Sequence, residues 1–82
     1  MHTIMLDGSL YADPKDVHLA LKRILHLPAY YGLNADALND CIGDKTETVN
    51  LWILNPGEDE TAVAIHRIAA VIRDNGGSVK EL

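Results

Sequence analysis

The chain predicts an α/β domain, a small three-stranded parallel sheet packed against about three helices, and three observations carry that prediction. The apolar segments follow one another as strand, helix, helix, strand, helix, strand. The strands are separated by connections far longer than a hairpin needs, which implies parallel pairing through right-handed crossovers. The middle strand is apolar at every residue but one, the pattern of a sheet covered on both faces. Eighty-two residues, 48% of them apolar, make one domain spanning residues 1–82. A chain of this size buries only about 60% of its unfolded surface, so it folds alone but with a modest margin.

The first strand is the apolar run over residues 3–6, closed by Asp7 and Gly8 as a turn. Asp13 then caps a helix with Pro14 at its first position. Val17, Ala20, Leu21, Ile24 and Leu25 recur at helical spacing until Pro28 stops it, and His18, Lys22 and Arg23 form its polar face. Residues 27–34 read as a rigid loop. Pro28 fixes one backbone angle, Gly32 permits a left-handed bend, and Asn34 caps a second helix beginning at Ala35.

On that second helix Leu38, Cys41 and Ile42 fall on the core side, while Asp36, Asn39, Asp40 and Gly43 share the opposite arc. After a polar connector over residues 43–48, residues 49–54 form the second strand, apolar except at Asn50. A turn at residues 55–57 leads to a third helix from about Asp59. Its stripe is Ala62, Ile65, Ile68, Ala69 and Ile72, and a glycine stands ready for its C-cap. Residues 78–82 make a weak last strand.

Charge is concentrated. The formal net charge is −5, yet residues 34–60 alone hold seven acids (Asp36, Asp40, Asp44, Glu47, Glu58, Asp59, Glu60) against one base, Lys45. An acidic patch of this kind repels nucleic acid and anionic membranes and steers a basic protein partner toward itself. The aspartates at 36 and 40 lie one helical turn apart, about 6 Å along the axis, where like charges weaken a helix by a few tenths of a kcal/mol. Asp36 recovers some of this from the positive end of the helix dipole, and Asp40 little.

The residues between 27 and 41 carry a specific wording: Leu27, Pro28, Tyr30, Tyr31, Gly32, Asn34, Asp36, Ala37, Leu38, Asp40 and Cys41 are eleven defined positions in fifteen. This stretch resembles the signature of the barstar family of intracellular ribonuclease inhibitors. The resemblance implies a barstar-like fold and an inhibitor whose loop and second helix plug the cleft of a basic microbial guanyl-specific ribonuclease, with Asp40 standing in for the substrate phosphate. It implies that Tyr30, Asn34, Ala35, Asp36 and Asp40 meet the nuclease, and Asn39 and Asp44 complete the expected partner-binding set.

The rim departs from the family pattern. Asn39 stands where the family has a tryptophan, the connector aromatic falls near Lys45, the segment before the last helix is shorter, and Val71 and Asn75 replace two glutamates. These changes remove apolar area and charge from the implied interface.

Other chemistries fit poorly. His18 and His26 are about 12 Å apart along one helix, and no histidine pair has the spacing of a zinc site, so no metal or cofactor is expected. Cys41, the only cysteine, falls on the apolar side of its helix, where a thiol behaves as a small buried hydrophobe and not as a nucleophile. Two carboxylates on a convex face have nothing to separate their pKa values, so no catalytic site and no enzyme is predicted. No glycine-rich phosphate loop precedes a helix.

Trp52 reads as core, Tyr11 as structural and Tyr30 as an interface anchor. The lone cysteine and the absence of a basic-then-apolar leader point to a cytoplasmic protein, expected to be monomeric when free. Two other readings share these features: immunity to an unrelated nuclease toxin, and a regulatory module for a basic cytosolic protein.

Overall fold

A computed structural model describes residues 2–43 and 48–82. Strand β1 spans His2–Asp7, helix α1 Pro14–Ile24, α2 Ala35–Gly43, β2 Val49–Leu54, α3 Glu60–Asp74 and β3 Ser78–Glu81, with a 3-10 turn at Gly8–Leu10. The strands form one parallel sheet in the order β1-β2-β3, with Ile4 opposite Leu51 and Leu51 opposite Val79. The predicted α/β class, three parallel strands with three helices, is the architecture observed.

Among the described residues the sheet is covered on one face only. Ile4, Leu6, Val49, Leu51 and Ile53 are buried, whereas the residues between them are exposed or half-buried. The strand order explains this: two right-handed crossovers that step in the same direction place both connections on the same side. Coverage on both faces, predicted from the apolar run of β2, is therefore corrected.

Trp52 is corrected with it, because it lies half-buried on the open face in a row with Met5 and Lys80. Lys80 reaches over its ring, Nζ 5.8 Å from the centroid, so the lysine stem and charge shield the indole. The neighbouring row is a polar ladder: Ser78 Oγ donates to Asn50 Oδ1 (2.7 Å) and Asn50 Nδ2 to Thr3 Oγ1 (3.4 Å).

Helix α3 is the spine of the covered side. It packs on β2 and β3 and against both other helices, burying Ala62, Ala64, Ile65, Ile68, Ala69 and Ile72. Its ends are set locally. Asp59 caps the start, accepting from the Thr61 amide at 3.1 Å. At the finish Gly76 adopts φ +83° while the Gly76 and Gly77 amides return to the carbonyls of Arg73 and Ile72, a Schellman closure.

Helix α1 starts as predicted, with Asp13 accepting from the Asp16 amide at 3.0 Å and Pro14 in the first turn. It stops at Ile24, well before Pro28. His26 enters the left-handed region (φ +54°), and the His26 and Leu27 amides bond back to the carbonyls of Arg23 and Lys22. A histidine thus fills the position usually held by glycine.

Candidate partner-binding site

Helix α2 is presented by residues 27–34, and the loop is held from beneath by one buried contact. His18, assigned from sequence to the polar face of α1, is instead buried, because the Tyr31 ring folds over it. Tyr31 Oη and His18 Nδ1 lie 2.6 Å apart. Burial lowers the His18 pKa, so the ring is neutral at pH 7. Burial pushes the Tyr31 phenol far above its ordinary range. A protonated phenol with no other acceptor among the described residues donates to Nδ1, which leaves the imidazole proton on Nε2.

The Tyr31 amide also donates to the Pro28 carbonyl (3.0 Å), closing a turn that sends the adjacent Tyr30 outward, 85% exposed. The left-handed bend expected at Gly32 falls one residue later, at Leu33 (φ +57°). Gly32 serves by its size: a Cβ there would come within 3.3 Å of the Ala37 methyl. The unfavourable angle at Leu33, worth on the order of 1 kcal/mol, is offset by packing its side chain against the core.

Asn34 then ties loop to helix at both ends of its amide. Its Oδ1 accepts from the Ala37 amide (2.8 Å), and its Nδ2 donates to the Gly32 carbonyl (3.2 Å). Leu38 and Ile42 are buried; Asp36, Asn39, Asp40 and Gly43 are exposed, as their spacing predicts. Ala35 is half-buried beside the cap. Among the described residues neither aspartate has an ion-pair partner. Cys41 is half-buried against the core and not fully sealed, which corrects the expected burial. Asp44 lies outside the described residues.

One connection has no counterpart in the sequence reading. Asn75 Nδ2 donates to Asn39 Oδ1 (2.9 Å) and to the Val71 carbonyl (2.8 Å), so the C-cap residue of α3 clamps the middle of α2. Two of the noted departures from the family pattern, Asn39 and Asn75, therefore touch each other. Nothing in the spacing of either residue could have paired them.

A family model described as Barstar (barnase inhibitor) matches residues 1–80 of the chain. The chain belongs to that family. Barstar-family proteins are inhibitors and not catalysts, and the described residues include no group of three or more His, Cys, Asp or Glu side chains arranged to hold a metal. No described helix is long and apolar enough to cross a membrane. The family likeness spans nearly the whole chain, so the loop and α2 belong to a fold that is barstar-like from β1 to β3.

Proposed function

We propose that this protein inhibits a basic guanyl-specific ribonuclease by laying the exposed face of α2 into the enzyme's cleft, with Asp40 in the place of a substrate phosphate. The observation that carries the proposal is the exposed pair of aspartates on a helix whose start is fixed by Asn34 and whose loop is fixed by the Tyr31–His18 contact. Nuclease active sites gather cations to bind phosphate, and a carboxylate at fixed height and angle satisfies them without offering a bond to cleave.

Because loop and helix are ordered before binding, little conformational entropy remains to be lost on docking. Tyr30, exposed beside this face, supplies aromatic area, while Asn34, Ala35, Asp36 and Asn39 share the loop and helix with Asp40 and Asp44 completes the proposed contact set. In this reading the protein acts in the cytoplasm as a monomer.

The test is a titration of guanyl-specific ribonucleases with the purified protein. Loss of cleavage at one-to-one stoichiometry is expected for at least one enzyme. Full activity of every enzyme under a large excess of inhibitor would reject the reading.

A further inference from the structure

The exposed face of α2 bears no large apolar side chain, since Asp36, Asn39, Asp40 and Gly43 make up its outer arc. Interfaces of high affinity are centred on apolar or aromatic anchors seated in pockets. Such a pocket exists at the edge of this face. The first turns of α1 and α3 and the start of α2 enclose a cleft of about 340 Å³, walled by Pro14, Leu33, Val63 and Ala64. Val63 is 51% exposed on a helix whose other aliphatic side chains are mostly buried.

Two features say what fills it. The cleft is continuous with the proposed binding face, because Asn34 and Ala35 form part of its wall, so a protein covering Asp36 also covers the cleft mouth. Its surroundings suit a basic partner: Glu60 stands on the rim, preceded by the exposed Glu58 and Asp59, with Arg67 as the single cation among the lining residues. His18 also lines it, and Nε2, left with the imidazole proton, has no partner among the described residues. That N–H is a donor for a main-chain carbonyl entering beside an apolar side chain.

Resting on the inhibitor reading above, we propose that the nuclease reaches past the acidic face of α2 and seats an apolar side chain in the cleft between the starts of the three helices. The bound footprint then runs from Asp40 across Ala35 to Val63, and specificity for one nuclease over another resides in the cleft as well as in the aspartates. Phosphate mimicry is common to every nuclease of the class; the apolar side chain that enters the cleft is not.

Val63→Gln tests this without changing net charge or steering, with Leu10→Gln, another exposed apolar residue and not one of those lining the cleft, as control. Against a nuclease that binds the parent and is lost by Asp40→Ala, Val63→Gln is expected to raise Kd at least tenfold, chiefly through faster dissociation. Leu10→Gln should leave Kd unchanged, and urea midpoints of both variants should match the parent. In the unmutated protein, the Val63 and Leu33 methyl resonances should shift on adding nuclease.

Unchanged affinity of Val63→Gln together with still methyl resonances would overturn the proposal while leaving the inhibitor reading intact. Self-association of the parent that depends on Val63 would overturn it by giving the cleft to a second copy. If no nuclease binds the parent at all, the inhibitor reading fails and the cleft proposal falls with it.

Discussion

Seven of the fifteen residues of α3 are buried, against two of the nine in α2. The helices pack against each other, yet they draw their order from different sources. Helix α3 is long, capped at both ends and fixed by its contacts with sheet and helices. Nine residues are too few for a helix to persist alone in water, so α2 depends on the Asn34 cap, the anchored loop before it and the Asn75 clamp at its middle. A fold that holds a helix by its start and one side leaves its outer face free to vary.

The largest effect expected from this contrast falls on binding. Asp40→Ala should weaken nuclease binding by several kcal/mol, a scale set by the corresponding kind of aspartate in this same family and so not an independent inference. The ranking is independent: Asp36→Ala should cost perhaps half as much, since Asp36 lies nearer the rim and a truncated central charge leaves its partners buried and unpaired. Neither change should lower the urea midpoint, and Asp40→Ala should raise it slightly by removing the like-charge pair. Calorimetric Kd values beside urea midpoints decide it; lost stability with retained affinity would show that Asp40 serves the fold.

The mirror experiment is Ile68→Ala on α3, where the side chain is fully buried. It should cost about 2–5 kcal/mol of stability by urea denaturation while leaving the affinity of the folded fraction near that of the parent. A variant that stayed as stable as the parent would break the contrast.

A third, smaller effect sharpens it. His18 is neutral when buried and its pKa is lowered, so the unfolded chain binds the proton first as pH falls. Stability attached to His18 is therefore complete above the ordinary histidine pKa of about 6.5 and is lost below it, at no more than about 1.4 kcal/mol per pH unit. Urea midpoints should drop between pH 7.5 and 5.5 in the parent and drop less in His18→Gln, whose amide still offers Tyr31 an acceptor.

The smallest effect belongs to the cap. Asn34→Ala should cost about 1 kcal/mol of stability and raise the exchange rate of the Ala37 amide, with the amides of α3 unaffected.

These contrasts also mark what the sequence could and could not say. Helix starts were legible because caps are local: Asp13, Asn34 and Asp59 each bond an amide two or three residues ahead. The outer arc of α2 was legible because it follows from helical spacing alone. Trp52 was misread because an apolar run gives no sign of which sheet face lacks helices; strand order decides that, and order is a property of the whole chain. His18 was misread because a polar ring becomes a core residue only when Tyr31, distant in sequence, arrives to satisfy it. The bend at Leu33 and the early stop at His26 were missed for a related reason: tertiary packing supports left-handed angles in residues that local preference would exclude.

The parallel register also orders events in time. Joining β1 to β2 brings Ile4 to Leu51 and encloses α1, the presenting loop and α2, whereas joining β2 to β3 brings Leu51 to Val79 around α3 alone. The difference in loop length contributes only a few tenths of a kcal/mol, so it does not decide the sequence of folding. What decides is the number of pieces to be ordered: one helix in the second closure, two helices and an irregular loop in the first. The β2–α3–β3 unit is thus the natural nucleus, with α2 condensing onto it late. Changes in α2 should therefore quicken unfolding and barely slow refolding, giving φ-values near zero for Leu38→Ala and well above that for Ile65→Val. A surface expected to form last in folding is expected to open first, so the lifetime of the proposed binding face should be set by local opening more than by the global stability of the domain.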